Sequence, residues 1–174
     1  MAASLLSLLA SGKSGLIWQL FLDDPRLELS QKEVRQLTKI STATAVKVLR
    51  SLVKEGVLVM AVKGNANFYK LADSSVNKQL KVARTVFALR PLSVIKDAYL
   101  FGSAARGEDS PESDIDILVI GKMTRVEIAA IILPLSRKLG RQIKPVSFSP
   151  SEWASMRKKD PAFYERVEKD KILL

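Results

Sequence analysis

Two acids and a Gly-Ser pair stand out in this sequence as residues that could do chemistry together. Gly102 and Ser103 follow a short apolar run, and after ten intervening residues Asp114 and Asp116 alternate with the apolar residues of a second run. Side chains two positions apart on a strand project to the same face, so the two carboxylates are expected side by side. They would repel each other unless a cation lay between them, and a divalent ion there could also bridge to triphosphate oxygens. We therefore predict a metal site at Asp114 and Asp116, with Gly102 and Ser103 facing the phosphates of a nucleoside triphosphate.

The composition limits which metals and which chemistries are available. The 174 residues include no cysteine and no histidine, which excludes disulfides, thiolate or imidazole metal sites, and histidine acid-base catalysis. A metal must then bind to oxygen ligands, and such sites favour magnesium or manganese. Hydrophobic residues make up 47% of the chain, enough to form the core of one ordinary domain or of two small ones.

The excess of positive charge is concentrated in the first half of the sequence. The net charge is +10; residues 1–90 contain 14 lysines and arginines against 6 acids, whereas residues 91–174 contain 14 against 12. Basic surfaces attract polyanions, so this distribution favours DNA as a partner of the first half.

Neither a membrane span nor a secretion signal is indicated. The apolar start from Met1 to Leu9 is followed, not preceded, by its first positive charge at Lys13, which is the reverse of a secretory signal. No apolar run approaches the roughly 18 residues of a membrane-spanning helix. The sequence thus predicts a soluble, cytoplasmic protein with no membrane partner.

Short helices are predicted at the start of the chain. Apolar residues at helical spacing indicate one or two short helices over Leu5–Leu9 and Leu16–Phe21, with breaks near Gly12 and Gly15. The spacing Ser-x-x-Glu that begins at Ser30 is a capping box, which predicts the start of a further helix.

A hairpin follows the next helix. Ser41 is a capping residue for a helix that ends at Glu55-Gly56. The runs Val57–Val62 and Phe68–Leu71 are separated by residues typical of a hairpin turn. Two short helices, a tight turn and a basic hairpin predict a winged helix.

This order resembles the winged helix-turn-helix family of DNA-binding domains over about residues 14–72. The resemblance implies that the helix from Ser41 to Glu55 is the recognition helix and that the hairpin is the wing. The implied DNA contacts are Thr42, Thr44, Lys47, Ser51 and Lys54 on the helix and Lys63 and Asn65 on the wing. An alternative interpretation is that Lys47, Arg50 and Lys54 form an ordinary solvated face and that the domain binds another protein.

A connecting helix is predicted between the two halves. Asp73–Arg90 carries apolar residues at helical spacing, and further apolar residues off that stripe would suit a helix between domains or a dimer seam. We predict three segments: a winged helix-turn-helix domain over 1–72, a connecting helix over 73–91 and a second domain over 92–174.

The second half alternates strands and helices. The predicted elements are a strand at Ala98–Phe101, a loop from Gly102 onward, a strand carrying Asp114 and Asp116, a helix over Thr124–Leu139, a strand over Gln142–Phe148 and a last helix capped by Ser151.

The motif of this half resembles a known signature. Gly-Ser, ten residues and Asp-x-Asp match the polymerase-beta-like nucleotidyltransferase superfamily, and the residues around Gly102–Gly107 are similar to its minimal nucleotidyltransferase branch. The resemblance implies that Gly102 and Ser103 hold the nucleotide phosphates, that Asp114 and Asp116 are catalytic metal ligands, and that Arg106 steadies the loop or the phosphates. The alternative is that Ser103 only turns the chain and that Arg106 pairs with a neighbouring loop acid, Asp109 or Glu112.

The two resemblances together imply the fold class. It is α+β, with an N-terminal winged helix-turn-helix and a C-terminal small nucleotidyltransferase fold whose mixed sheet is flanked by helices. The whole chain is similar to a prokaryotic two-domain group with this arrangement.

One feature departs from the superfamily pattern. An active enzyme of this kind carries a third acid on the next strand, whereas here that strand contains no acid and the matching position is Lys144. Asp109 or Glu152 could substitute from a loop. Without a third acid, binding of a nucleotide with one metal ion is expected to persist while transfer slows.

Several functions remain open at this point. The chain could transfer a nucleoside monophosphate to a hydroxyl acceptor, or it could be a DNA-binding transcriptional regulator whose second domain is a weak or inactive nucleotide-binding domain. It could also belong to a toxin-antitoxin pair. The partners implied are a nucleoside triphosphate, DNA, and either a second copy of the chain or a partner protein.

Overall fold

The computed structural model describes residues 12–174, so the helix predicted at Leu5–Leu9 lies outside the described residues. The chain divides into two compact units, one that ends at Asn77 and one from Lys78 to Leu174. The division falls inside a helix, Ser75–Leu89. No helix within residues 12–174 combines the length and the apolar character needed to cross a membrane.

Within the described residues, the first unit combines three helices with three strands. Its elements are α1 (Gly12–Asp23), β1 (Glu28–Ser30), α2 (Gln31–Thr38), α3 (Thr42–Lys54), β2 (Leu58–Lys63) and β3 (Ala66–Leu71). The strands form an antiparallel sheet in the order β1-β3-β2. The helices and the sheet enclose a core that includes Ile17, Phe21, Leu49 and Leu52.

The helix starts of this unit follow the sequence signals. The Ser30 side chain accepts a hydrogen bond from the Glu33 amide while Glu33 reaches back to the Ser30 amide, so the predicted capping box is confirmed. Ser41 caps α3, also as predicted. The predicted break at Gly15 is wrong, because α1 runs through it and buries Ile17 against the core. The sequence analysis also missed β1.

The helix that spans the division is α4, Ser75–Leu89. Its first turn is bonded to the first unit, where the side-chain amide nitrogen of Asn77 (Nδ2) donates to the carbonyl oxygens of Val57 and Ala72, both at 2.8 Å. One turn later, the Lys81 ammonium donates to the carbonyl oxygens of Gly107 and Asp109 in the second unit. The predicted segment boundaries at 72 and 91 stay a prediction.

The second unit is built around a mixed four-stranded sheet. After α4 come a 3₁₀ helix (Arg90–Val94), β4 (Ala98–Phe101), α5 (Gly102–Arg106), β5 (Ile115–Ile120), α6 (Arg125–Leu139), β6 (Ile143–Phe148), α7 (Pro150–Lys159), α8 (Pro161–Asp170) and β7 (Ile172–Leu173). The strand order is β6-β5-β4-β7; β5 and β6 are parallel, and the other pairs are antiparallel.

The two faces of this sheet are buried in different ways. Ile115 and Ile117 of β5 belong to an aliphatic core that includes Ile132 of α6. Leu118 projects to the other face, where it joins an aromatic cluster that includes Trp153 of α7. Because side chains alternate along a strand, Asp116 shares the face of Leu118. The acids therefore lie on the aromatic side of the sheet.

Two local predictions for the second unit are wrong. The segment after Phe101 is the short helix α5, not a loop. The helix α7 is capped by Ser149 and not by Ser151, since Ser149 and Glu152 form a capping box with Pro150 at the first helical position. The sequence analysis also missed α8 and β7, although Asp160 and Pro161 carry the capping signal for α8.

The predicted fold class is confirmed: the chain is α+β, with two separate sheets. The division at Asn77 alters the argument from charge. The part up to Asn77 contains 10 lysines and arginines against 6 acids, and the part from Lys78 contains 18 against 12. The excess is thus not a property of the first unit, and any case for a polyanion must come from where its cations lie.

Candidate functional site

The predicted site residues of the second unit meet in one row across the sheet. Asp116 on β5 is paired with Phe101 at the end of β4 and with Lys144 on β6. Gly102 follows Phe101 directly and begins α5. The structure thus brings Gly102, Asp116 and Lys144 to neighbouring positions, with Asp114 just before the start of β5.

Gly102 makes room for the Asp116 carboxylate. Its φ of +74° lies in the left-handed region, and a Cβ atom built there would come within 2.7 Å of Asp116 Oδ2. An L side chain would be strained at this φ and would also collide with the carboxylate. The glycine of the motif is therefore required by the close approach of an acid to the backbone.

The Asp116 carboxyl is partly buried and lacks a hydrogen-bonding partner. No donor within residues 12–174 forms a hydrogen bond with it, and none of the ion pairs among those residues includes it. Its pKa is raised, first by burial and then by the charge of Asp114, while the positive charges of Lys144 and Arg166 partly offset the rise.

Lys144 forms an ion pair with the other acid. Its Nζ lies 2.5 Å from Asp114 Oδ2, and the side chains are 53% and 33% exposed, respectively. The hydrogen bond to Asp114 raises the pKa of Lys144, with a smaller contribution from the charge of Asp116. The acid pair is thus accompanied by one internal positive charge at hydrogen-bonding distance.

Arg166 is a cation of this site that the sequence analysis missed. It lies on α8 with its guanidinium carbon 5.5 Å from the centre of the Phe163 ring, and its charge acts on Asp116. No ion pair between Arg166 and an acid is found within residues 12–174. The Asp160-Pro161 signal would have located α8, but only the fold places this helix near β5.

Ser103 and Arg106 lie on the short helix α5. Ser103 is half-buried in its first turn, next to Gly102. Arg106 is held by two acids, since its Nε lies 2.7 Å from Glu108 Oε2 and its Nη1 lies 2.5 Å from Asp170 Oδ2. These contacts raise the pKa of the Arg106 guanidinium further. The pairing with Asp109 or Glu112 considered from the sequence is replaced by these two partners.

The two loop acids considered as substitutes for a third ligand are engaged elsewhere. Asp109 is buried between Lys81 at 3.2 Å and Arg141 at 2.7 Å, so its carboxylate fixes the loop before β5. The Glu152 carboxylate accepts a hydrogen bond of 2.7 Å from the backbone amide of Ser149 in the cap of α7, and this bond lowers the pKa of Glu152. Neither is available beside Asp116.

The donor set fits one divalent ion and not two. Nowhere in the part of the chain from Gly12 onward do three or more acids gather in a metal-binding group. Asp114 and Asp116 supply carboxylate oxygens of the kind that magnesium and manganese prefer, and the remaining ligands of one ion would have to come from a nucleotide and water. The position beside Asp116 on β6 is held by a cation, Lys144, and not by a further acid.

The predicted DNA contacts of the first unit fall into two groups. On α3, Lys47 and Lys54 lie on the exposed face, and Arg50 lies between them on the same face. Arg50 was not among the predicted contacts. Within residues 12–174 none of these three cations forms an ion pair, although like charges three and four residues apart repel each other. This face opposes the buried side formed by Ala45, Val48, Leu49 and Leu52.

The three hydroxyl side chains lie toward the edges of that face. Thr42 is exposed and accepts a hydrogen bond from Arg35 Nη1 at 2.8 Å. Thr44 is half-buried and bonded to the cap residue Ser41. Ser51 is half-buried as well.

The two predicted wing residues lie at the β2–β3 hairpin. Lys63 forms an ion pair with Glu28 of β1. Asn65 lies in the turn, at the edge of an open groove of about 800 Å³. The groove is bounded on its other side by α2, where it includes Lys32 and Arg35. The groove thus brings amide groups of the hairpin close to positive charges of α2.

Comparison with known proteins assigns the second unit. The sequence profile of the family described as "Nucleotidyltransferase domain" matches residues 81–174, more than half of the chain. The chain belongs to this family. No curated protein matches the chain significantly.

Two solved structures show likeness to the chain. One is Rv0081 of M. tuberculosis, with 27% identity and a TM-score of 0.44 over 51% of this chain and 86% of that chain. The other is TrmBL2, described as an archaeal chromatin protein with a novel mode of DNA binding, with 13% identity and a TM-score of 0.33 over 94% of this chain and 76% of that chain.

Proposed function

We propose that the second unit binds a nucleoside triphosphate together with one divalent ion, magnesium or manganese, at Asp114 and Asp116. The observation that carries this proposal is the state of the Asp116 carboxylate, which is partly buried beside a second acid and has no hydrogen-bond donor in the described chain. Burial of a charge without a partner is costly. A cation that arrives with a ligand removes this cost.

The other site residues have distinct roles in this proposal. Gly102 gives the Asp116 carboxylate the space it needs beside the backbone, and the Ser103 hydroxyl can donate to a phosphate oxygen. Arg106, held by Glu108 and Asp170, fixes the end of α5 and does not itself bind phosphate. Arg166 adds a positive charge near Asp116, where the triphosphate would lie.

Transfer of a nucleoside monophosphate would be slow at this site. In that reaction the acceptor oxygen forms a bond to the α-phosphorus, the bond to the bridging oxygen breaks, and pyrophosphate leaves. A bound divalent ion would neutralise charge on the leaving side. Asp109 and Glu152 are engaged elsewhere, so no further carboxylate of the described chain is placed to receive the proton of the acceptor hydroxyl. We therefore propose nucleotide binding as the primary property and transfer as a weak activity.

The test is a titration with ATP, GTP, CTP and UTP, each with and without magnesium, followed by mass analysis for a transferred monophosphate. We expect at least one triphosphate to bind in the presence of magnesium and the Asp116→Asn variant to bind it at least about tenfold more weakly, because a charge-assisted ligand is lost. Asp23→Asn, an exposed position in the first unit, is the matched control. The proposal fails if no triphosphate binds or if Asp116→Asn binds like the wild type.

A second function is proposed for the first unit, namely DNA binding through α3 and the wing. The observation that favours it is the exposed row Lys47, Arg50 and Lys54, which repel one another and have no acid partner in the described chain. A DNA backbone would supply the missing negative charge. Titration of a labelled duplex at several salt concentrations tests this proposal, and the absence of binding at low salt would rule it out. Together these proposals describe a DNA-binding protein that carries a nucleotide-binding domain.

A further inference from the structure

Lys144 lies close to both acids of the candidate site. It lies on β6 directly beside Asp116 of β5 in the parallel ladder, and its ammonium reaches down to Asp114 at 2.5 Å. The ladder fixes the backbone of Lys144, so its side chain starts beside Asp116. Its charge acts on both carboxyls.

We propose that the Lys144 ammonium is a built-in counter-ion of the acid pair, one that competes with divalent ions for Asp114. This inference rests on the proposed function, because it concerns the same site. In the ligand-free protein the ammonium satisfies Asp114 and leaves Asp116 without a direct partner. A divalent ion that needs both carboxylates must then displace the ammonium, so the ion alone binds weakly.

A divalent ion can displace the ammonium because the Lys144 side chain is not buried. Its side chain is 53% exposed, and its ammonium is carried by a flexible four-carbon chain. When the ion arrives on a triphosphate, the displaced ammonium can take a phosphate oxygen as its new partner, and Arg166 adds charge on the same face. Ion and nucleotide should therefore strengthen each other's binding, which is a coupling between two ligands at one site.

The competition is tested by titrating the protein with Mn²⁺ alone and measuring bound ion from the loss of the EPR signal of free Mn²⁺. We expect Lys144→Met to bind Mn²⁺ about fivefold more tightly than the wild type, about the effect that loss of a half-exposed ion pair can have. Lys144→Glu should bind more tightly still, because it adds a ligand and a negative charge. Lys138→Met is the matched control, since it removes the same charge from an exposed position on α6, and it should leave the affinity for Mn²⁺ unchanged.

The outcomes separate this inference from the proposed function. If Lys144→Met and the wild type bind Mn²⁺ equally, or if Lys144→Glu binds no Mn²⁺, the competition does not exist, whatever the nucleotide titration shows. If Lys138→Met tightens binding as much as Lys144→Met, the effect is one of net charge and the inference is again overturned. Failure of all triphosphates to bind would instead overturn the proposed function. In that case, a higher Mn²⁺ affinity of Lys144→Met would still support the competition. Lys144 is exposed and on a strand that retains its ladder, so both variants should fold.

Discussion

The two units use their positive charges in opposite ways. On α3 of the first unit, Lys47, Arg50 and Lys54 point outward and have no acid partner within the described residues. In the second unit Lys144 is paired with Asp114 and Arg141 with Asp109, although Arg166 near Asp116 forms no ion pair within the described residues. The same residue types thus indicate an external anion in one unit and the control of internal acids in the other. Net charge alone does not separate the two cases.

The largest effect is expected where the second unit buries its charges. Asp109→Asn leaves the ammonium of Lys81 and the guanidinium of Arg141 without their shared carboxylate, and removal of one partner of a buried pair costs about 3–5 kcal/mol. Urea unfolding should show this loss. An exposed acid-to-amide change in the first unit, such as Asp23→Asn, should cost far less. Equal losses would show that internal charge pairing does not distinguish the units.

A glycine substitution in each unit sharpens the comparison. Gly102 and Gly64 both have positive φ, +74° and +59°, but only at Gly102 would an added Cβ meet another group, the Asp116 carboxylate. Gly64→Ala should therefore cost only backbone strain, on the order of 1 kcal/mol. Gly102→Ala should cost more, about 1–3 kcal/mol, and should displace Asp116 and weaken nucleotide binding. Identical unfolding free energies for the two variants would contradict the close approach.

The outward cations of the first unit can be removed one at a time. Each of Lys47→Gln, Arg50→Gln and Lys54→Gln should lower the slope of log affinity for duplex DNA against log salt by about 0.9 if that residue contacts a phosphate. Arg50 is included because the structure places it in the same exposed row. Lys138→Gln in the second unit is the control and should leave the slope unchanged. A slope that does not respond to any of the three would contradict DNA binding through α3.

The smallest expected effect is on the pH dependence of stability. The pKa of Asp116 is raised in the folded protein, mainly by burial, so the folded state binds the proton more tightly and stability falls as pH rises from the ordinary carboxyl range through the raised pKa. Asp116→Asn should therefore melt at a slightly higher temperature than the wild type at pH 7. The difference should vanish by about pH 3, below the ordinary pKa of aspartate, where the carboxyl is protonated in both states. A lower melting temperature at pH 7 would contradict the assignment of an unpaired acid.

Much of the fold could be predicted because its signals are local. The capping box at Ser30 and the buried strand 98–101 appear where the sequence patterns indicate them. The helix α5 could not be read in the same way, since Gly102 to Arg106 follow a strand and have no side-chain cap. α8 begins with a capping signal, but its position near β5 depends on tertiary packing.

The candidate site also combines features that the sequence motif predicts with features that depend on packing. The motif predicts that Gly102, Asp114 and Asp116 belong together, and the ladder of β4, β5 and β6 brings them together. The ion pair of Lys144 with Asp114 and the approach of Arg166 depend on side-chain direction and on helix packing, which one sequence does not encode in any local pattern. The commitment of Asp109 to Lys81 and Arg141 likewise joins three segments that are far apart along the chain.

The most direct test of the nucleotide site is the location of a bound metal nucleotide by paramagnetic broadening. Titration of ¹⁵N-labelled protein with Mn²⁺ and the triphosphate that binds most tightly should first broaden the amide signals of Gly102, Ser103 and residues 114–117, because they lie around the two carboxylates. The same titration of Asp116→Asn should broaden them only at much higher concentration. Broadening that begins elsewhere, or that is unchanged in Asp116→Asn, would contradict a metal-nucleotide site at the acid pair.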